Sequence, residues 1–303
     1  MQLASKHLPS STPRAKTLAY LQIVRFPNLF TAIADILAGG SIAAGTSARG
    51  AELFLLVLSS VCIYAAGCVL NDLVDREEDA RERPFRPIPS GRISGRRAAL
   101  MAVLLFVGGL LCAARAGKAA LLVAVLLSTL VLLYNTVSKR SDFYGPLNMA
   151  GCRSFNLLLG MSAGLSWSWE IALFPLITLV YVFSLTALSR FETAEDTGPK
   201  VWWVLPGWAA VILVMGALCF RGLFPVTGIA LLAVLIYWTG PALLTALLRH
   251  SPKMVGNAVK AMILALPVLD AIYASSTQDV FHCMVIAAMA LPAIVLARYV
   301  YVT

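Results

Sequence analysis

The sequence predicts an all-α, polytopic membrane protein. Apolar residues make up 59% of the 303 positions and charged residues only 13%, whereas charged residues are roughly 25% of a soluble domain. Mean hydropathy is +0.82, and the apolar residues are gathered into long segments. Each segment is close to the roughly 20 residues that an α-helix needs to cross a membrane. These observations exclude a soluble enzyme.

Ten segments have the length and composition of a membrane-spanning helix. They are residues 27–46, 51–72, 97–114, 118–137, 145–166, 170–189, 201–220, 223–247, 255–274 and 280–302. The ninth departs most from the pattern, because it contains Lys260, Pro267 and Asp270. We predict a single membrane domain over residues 1–303, with residues 1–20 as a cytoplasmic tail.

The distribution of Lys and Arg predicts the orientation in the membrane. With ten spans and a cytoplasmic N-terminus, 20 of the 24 basic residues fall on the cytoplasmic side; the others are Arg49, Arg115, Lys118 and Arg221. This asymmetry follows the positive-inside rule. The net charge of +9 is explained by these helix-end residues, so we expect contact with membrane lipids and no nucleic-acid partner. The polar segments after spans 2, 4 and 6, which carry nearly all the chemically useful side chains, lie on the same side, so we expect the active-site loops to be cytoplasmic.

The most charged segment, Asn71 to Arg92, directly follows the second span. It holds six of the fifteen acidic residues, namely Asp72, Asp75, Glu77, Glu78, Asp79 and Glu82. If the helix continues, Asn71, Asp75 and Asp79 follow one another at intervals of four residues and lie on one face. Asp72 lies close to the same face, because Asp75 and Asp79 follow it by three and seven residues. Mg²⁺ prefers a few carboxylates together with phosphate oxygens and water. Asn71, Asp72, Asp75 and Asp79 are therefore candidate metal ligands.

Arginines follow these carboxylates in the sequence R-P-F-R-P-I-P-S-G-R, which contains Arg83, Arg86 and Arg92. Its prolines prevent a regular helix and favour a fixed loop, and guanidinium groups suit phosphate recognition. Any one of these residues could equally belong to a solvated, positive-inside loop. The ordered set, carboxylates followed by arginines, favours a site for a metal-bound diphosphate.

At these residues the sequence resembles a known family. The pattern N-D-x-x-D-x-x-x-D, followed by R-P-x-x-R-P-I-P-S-G-R-I-S, resembles the first signature of the UbiA superfamily of intramembrane prenyltransferases. Three further stretches resemble that family in order and spacing, so the similarity extends over most of residues 20–250. They are Arg25-Phe26-Pro27-Asn28, then Tyr134 with Lys139-Arg140 and Gly145, then Arg153-Ser154-Phe155-Asn156 with Gly160.

The resemblance implies a bundle of nine core helices around a central cavity that opens sideways to lipid, so that the tenth span would be an extra C-terminal helix. It also implies that Mg²⁺ binds a prenyl diphosphate, whose prenyl group passes to a lipophilic or aromatic acceptor. Under this resemblance Asn71, Asp72, Asp75 and Asp79 would hold metal and diphosphate. The implied diphosphate neighbours and cavity residue are Arg83, Arg86, Arg92, Lys139, Arg140 and Asn28.

The second acidic motif departs from the family pattern, which is D-x-x-x-D followed by G-x-K. Anchoring on Gly198-Pro199-Lys200 puts Arg190 and Ala194 at the two aspartate positions. A shifted register gives Glu192 and Asp196 instead, and the sequence leaves both registers open. The predicted catalytic set therefore comprises Asp72, Asp75, Asp79, Arg190, Glu192 and Asp196, with Glu192 and Asp196 as further metal candidates and Lys200 as a substrate-binding candidate.

Two functions follow from this pattern. The first is Mg²⁺-dependent transfer of a prenyl group to a lipophilic or aromatic acceptor. The alternative is a non-catalytic UbiA-like protein that binds or helps to export a prenylated precursor. L-S-R-F-E-T (188–193) and V-G-N-A-V-K-A-M-I-L-A-L-P-V-L-D-A (255–271) are similar to such an EboC-like branch.

Two acidic residues, Asp35 and Asp270, fall inside predicted spans. Charge is expensive in the hydrocarbon region, so each is expected to face the cavity or a partner.

Overall fold

The computed structural model describes residues 13–44, 50–164, 168–192 and 199–296, and its regular structure is helical throughout these ranges. A helix satisfies its own backbone hydrogen bonds, which the membrane interior requires. The predicted all-α class is confirmed.

Fourteen α-helices follow one another through the described residues. They are α1 (Pro13–Ile23), α2 (Phe26–Ala44), α3 (Gly50–Val74), α4 (Arg76–Glu82), α5 (Gly95–Ala116), α6 (Lys118–Thr136), α7 (Tyr144–Met161), α8 (Trp169–Ser189), α9 (Leu205–Phe220), α10 (Val226–Arg249), α11 (Pro252–Leu264), α12 (Leu266–Ser275), α13 (Val280–Ala288) and α14 (Ala290–Leu296). Short 3-10 helices occupy Ser138–Arg140 and Pro199–Val204. Helix α1 begins inside the segment assigned to the N-terminal tail.

Every one of the ten predicted spans contains helix. In the described part of the chain, eight helical segments are long and apolar enough to cross a membrane. The two that fall short are the fifth span, which is α7 and carries Arg153 and Asn156, and the final segment Val280–Leu296, which is short.

The ninth predicted span is one apolar segment made of two helices, α11 and α12, which meet at Ala265. Pro267 lies in the first turn of α12, where its missing N–H removes no helical hydrogen bond. Despite the break, most residues of this segment are buried inside the bundle. Asp270 is therefore carried into the interior and is 2% exposed.

Helix α7 packs against α2, α6 and α8. Its contact with α2 is a direct backbone crossing, since a Cβ at Gly160 would lie 2.5 Å from the carbonyl oxygen of Ile36. A Cβ at Gly39 of α2 would likewise overlap the carbonyl oxygen of Leu157. Small residues allow such close approach between membrane helices. The crossing brings the polar side chains of α7 against α2.

Helices α3 and α4 form a nearly continuous helix with Asp75 at the junction. The Asp75 N–H donates to the Asn71 carbonyl at 3.0 Å, and the Asp79 N–H donates to the Asp75 carbonyl at 2.8 Å. The predicted i, i+4, i+8 order is therefore kept across the break. The proline-rich loop that follows is fixed by Ile88 and Ile93, which pack in a cluster with residues of α1, α3 and α5.

Candidate functional site

A cavity of about 260 Å³ lies among α3, α6 and α7, close to the lower limit for small-molecule sites. Along α3 it is lined from Asn71 to Ser60, which corresponds to about 16 Å of helix. The polar and charged lining residues are Arg25, Ser60, Tyr64, Asn71, Asp75, Arg83, Arg86, Tyr134, Asn135, Arg153 and Asn156. Ile63, Leu127, Val131 and Met149 contribute apolar surface. Four arginines and one carboxylate thus surround a partly apolar space.

The carboxylates of the first motif are held by cations. Arg86 lies between two of them, donating from Nη1 to Asp79 Oδ2 at 2.7 Å and to Asp72 Oδ1 at 3.4 Å. All three side chains are buried. Asp75, which lines the cavity, forms an ion pair with Lys139 from the loop between α6 and α7. The structure thereby brings Lys139 and Arg86 to the predicted metal ligands.

Arg25, between α1 and α2, completes this end of the cavity. Its Nη2 donates to Asn71 Oδ1 at 3.0 Å and lies 3.8 Å from Asp72 Oδ1. Burial opposes its charge, but Cys68 and Asp72 raise the pKa of Arg25 overall. Its backbone is left-handed, with φ of 50°, a conformation that costs about 1–3 kcal/mol for a residue other than glycine. The contacts of the guanidinium with Asn71 and Asp72 offset this cost.

Two residues at this end of the cavity, Arg25 and Asn135, are not among the site residues predicted from the sequence. Asn71 Nδ2 donates to Asn135 Oδ1 at 3.0 Å, and Asn135 in turn donates to the carbonyl of Val131 at 2.9 Å. These contacts orient the Asn71 amide toward both Arg25 and α6. The sequence signal for Asn135 was its place beside Tyr134, at the end of a span.

Only some of the predicted phosphate-binding residues line the cavity. Arg83 and Arg86 line the cavity, and within the described part of the chain Arg83 has no ion-pair partner. Arg92 instead donates to Gln22 Oε1 at 2.8 Å and to Ser90 Oγ at 3.0 Å, so it fastens the proline-rich loop to α1. Arg140 is exposed. Asn28, in the first turn of α2, accepts a 2.8 Å hydrogen bond from Thr31 through its carbonyl.

In the second acidic motif, the structure shows where two of the candidates lie. Arg190 Nη2 donates to the backbone carbonyls of Lys139 and of Ser141, the latter at 3.0 Å. Glu192 lies beside α11, where a Cβ at Gly256 would be 3.8 Å from its Oε1. Burial raises the pKa of Glu192, against an opposing effect of Lys260. Asp196 and the side chain of Lys200 lie outside the described residues.

The inner end of the cavity is a buried polar network. Arg153 Nη2 donates to Asp35 Oδ1 at 3.0 Å, and Asn156 Nδ2 donates to Asp35 Oδ2 at 2.7 Å. Ser60 Oγ donates to Asn156 Oδ1 at 2.6 Å. Asp270 of α12 is also buried, and its Oδ2 has no hydrogen-bond partner among the described residues. Asp35 therefore has the kind of partner that was expected of an intramembrane aspartate.

The first motif has suitable donors for Mg²⁺, but it does not form an all-protein metal cage. Across the described ranges, no group of three or more His, Cys, Asp or Glu residues could hold a metal ion. Asp72, Asp75 and Asp79 each stand at the cavity end with a cation as partner. This fits Mg²⁺ bound through one or two carboxylates, with the remaining ligands supplied by diphosphate and water. Arg190 does not fit a metal site, because a guanidinium is not a metal ligand.

Comparison with known proteins identifies the family. A sequence model of the UbiA prenyltransferase family matches residues 32–248. Digeranylgeranylglyceryl phosphate synthase of Saccharolobus solfataricus is 29% identical over 170 residues, which are 56% of this chain and 60% of the relative. The synthase of Methanothrix thermoacetophila is 39% identical over 144 residues, 47% of this chain and 54% of the relative. The chain thus spans less than two thirds of the length of these curated relatives.

Solved structures show the same fold. One, described as giving structural and mechanistic insights into digeranylgeranylglyceryl phosphate synthase in membranes, has a TM-score of 0.69 at 19% identity, covering 87% of this chain and 99% of that one. A UbiA homologue from Archaeoglobus fulgidus bound to DMAPP and Mg²⁺ has a TM-score of 0.65 at 16% identity, covering 89% and 99%. The family match covers more than half of the chain, and the helical fold agrees with it. The protein is an integral, multi-pass membrane protein that belongs to the UbiA prenyltransferase family.

Proposed function

We propose that this protein is a Mg²⁺-dependent prenyltransferase that moves a prenyl group from a prenyl diphosphate to a lipophilic or aromatic acceptor. One observation carries the proposal. Asp75 and the arginines Arg83 and Arg86 line one end of an intramembrane cavity, Arg86 also pairs there with Asp72 and Asp79, and the remaining wall is partly apolar. The charged end of such a cavity suits an anionic diphosphate, and the apolar wall suits a hydrocarbon chain. The relatives' names and the ligands of the neighbouring structures support the same function.

The diphosphate would bind at the end of the cavity that Arg25, Arg83 and Arg86 line. Arg83 is the readiest of these, since it has no ion-pair partner among the described residues. Arg86 and Lys139 are held at present by carboxylates. Binding of metal to those carboxylates would release both cations toward phosphate oxygens. Arginine forks favour this anion because they donate two parallel hydrogen bonds.

The reaction breaks the bond between the allylic carbon and the diphosphate oxygen, and both electrons leave with diphosphate. Bound Mg²⁺ would neutralise charge on the departing diphosphate. Arg83, together with Arg86 and Lys139 once metal has released them, would stabilise the same developing charge. The acceptor's oxygen or aromatic carbon forms the new bond to the allylic carbon and loses a proton. Membrane helices around the cavity exclude bulk water, which would otherwise capture the allylic cation.

The acceptor is proposed only by class. The relatives are named as synthases of digeranylgeranylglyceryl phosphate, which makes a glyceryl phosphate lipid that already carries one prenyl chain the first acceptor to test. Hydroxylated aromatic compounds form the second class. Both would enter from the bilayer, and the diphosphate from the cytoplasmic side, where the positive-inside rule places the loops.

The test is prenyl transfer by the purified protein in lipid nanodiscs, with geranylgeranyl diphosphate, Mg²⁺ and each acceptor class in turn. Product formation and diphosphate release are measured together, with and without EDTA. We expect release that requires Mg²⁺ and that is lost in the double variant Asp75→Asn/Asp79→Asn. Glu78→Gln is the matched control, because Glu78 is an exposed carboxylate in α4, the helix that also contains Asp79.

Undiminished release by the double variant would refute the proposed site. An inactive wild type that still binds geranylgeranyl diphosphate would favour the second candidate, a non-catalytic protein that binds or helps to export a prenylated precursor. The observation in favour of that candidate is Arg190, which lies at an aspartate position of the second motif in one register and binds backbone carbonyls.

A further inference from the structure

We propose that Arg190 is a positioning residue that fixes the Lys139 loop, residues 138–142, for diphosphate binding. In one register of the second motif, Arg190 occupies a position where the family pattern has an aspartate. The inference rests on the proposed function, since it concerns the same diphosphate site. It assigns the second motif of this chain a task that needs no second metal ion.

The contacts of Arg190 are concentrated on this one loop. Its Nη2 donates to the carbonyls of Lys139 and Ser141, and its Nη1 lies 3.9 Å from Asp142 Oδ1. Asp142 is almost fully exposed, so that ion pair contributes little. The two hydrogen bonds to carbonyl oxygens fix the geometry of this contact, because the N–H donors of a planar guanidinium have fixed directions. Arg190 therefore holds the backbone on both sides of Arg140.

The loop is also held from its opposite side. Lys139 extends its ammonium group to Asp75, which lines the cavity. The backbone of Lys139 is thus bound to the end of α8 while its side chain reaches the end of α3. Among the described residues, Arg190 contacts none of the acidic residues of the first motif. Lys139, which contacts both Arg190 and Asp75, connects the two.

Gly145 leaves room for this arrangement. A Cβ at Gly145 would overlap the Arg190 guanidinium and would lie 3.2 Å from the carbonyl oxygens of Ser138 and Lys139. An alanine here would displace the guanidinium without removing any charge. The Gly145→Ala variant therefore separates the position of Arg190 from its charge.

A second argument comes from the opposite charges of aspartate and arginine at position 190. An aspartate at residue 190 would need a cation to approach the diphosphate, whereas an arginine is positively charged at every physiological pH. With Arg190 on the loop carbonyls, the loop needs no metal ion to hold its shape. We therefore expect diphosphate binding by this chain to depend less on metal at the second motif, because Arg190 already fixes the backbone of Lys139.

The experiment measures binding of inorganic pyrophosphate to the full-length protein in nanodiscs by calorimetry, with Mg²⁺ and with EDTA. Loss of two charge-assisted hydrogen bonds from the loop predicts that Arg190→Gln weakens binding about tenfold or more. Gly145→Ala should have a similar effect, and Arg190→Lys should recover part of it. Arg249→Gln is the charge-matched control, since Arg249 is an exposed cation in the last turn of α10.

The decisive readout is the coupling between Arg190 and Lys139. If Arg190 acts by placing Lys139, then Arg190→Gln should weaken pyrophosphate binding strongly in the wild type and hardly at all in Lys139→Ala. Independent, additive losses would overturn the proposal, as would unchanged binding by Arg190→Gln. Should Arg190→Gln fail to fold, Gly145→Ala in the same cycle decides. Since pyrophosphate binding needs no turnover, this outcome is separate from failure of the prenyl-transfer test.

Discussion

Arg153 and Asp35 neutralise each other inside the membrane-spanning bundle. Arg153 Nη2 of α7 donates to Asp35 Oδ1 of α2 at 3.0 Å, and the Asp35 side chain is fully buried. The remaining Asp35 oxygen accepts from Asn156 at 2.7 Å. The inner end of the cavity is therefore polar, yet one of its cations is already balanced within the protein.

Removing one member of this pair should be costly. Arg153→Met would leave Asp35 as an uncompensated buried charge, and we expect a loss of about 3–5 kcal/mol in the free energy of unfolding. Arg153→Met/Asp35→Leu removes both charges and should regain much of that loss. Unfolding in detergent by heat and denaturant measures the difference, with Arg249→Gln as an exposed control. A double variant that is less stable than Arg153→Met would contradict the pairing.

Arg86 should compete with Mg²⁺ for the first motif. Its guanidinium lies between Asp79 and Asp72, so Arg86→Gln leaves two buried carboxylates without that cation. We expect a lower melting temperature for this variant, and a larger stabilisation by millimolar Mg²⁺ than in the wild type, because a ligand stabilises the state that binds it. Thermal shifts in Mg²⁺ and in EDTA provide the measurement. Equal Mg²⁺ shifts in the two proteins would argue against metal binding by these carboxylates.

The α2–α7 crossing should not tolerate an added methyl group. Gly160→Ala would place a Cβ 2.5 Å from the Ile36 carbonyl oxygen, and such overpacking costs about 1–3 kcal/mol. The comparison is Gly108→Ala in α5, where a Cβ meets no atom within 4 Å. That change should be neutral or stabilising by up to about 1 kcal/mol, because alanine favours helix. Equal melting temperatures for the two variants would count against the close crossing.

Glu192 should make stability depend on pH. Burial raises its pKa in the folded protein, so the folded state binds more protons than the unfolded state between the ordinary pKa and the raised one. Its contribution to stability is therefore present at low pH and is lost as pH rises through this window. Glu192→Gln should raise the melting temperature at neutral pH and change it least near pH 4. Melting curves across pH test this, and an unchanged pH dependence would contradict it.

Much of the fold could be predicted from short stretches of the sequence. Span length and hydropathy predict ten helical segments, and all ten contain helix, because the need to satisfy backbone groups in lipid acts on each segment separately. The helical spacing of Asn71, Asp75 and Asp79 survives across the α3–α4 junction for the same local reason. Helix α7 was predicted as the fifth span, but its sequence does not show that the charge of Arg153 is balanced by Asp35 of another helix.

The sequence by itself determined the membrane class and the helical segments, and it predicts metal- and phosphate-binding chemistry for Asn71 to Arg92. Only the tertiary structure decided which cation meets which carboxylate. Arg25 reaches Asn71 across 46 residues of chain and Arg153 reaches Asp35 across 118. Such pairings depend on where helices cross, and the α2–α7 crossing is set by the absent side chains of Gly39 and Gly160. Tertiary packing also decides that Arg86 lines the cavity, whereas Arg92, a few residues later, fastens a loop to α1.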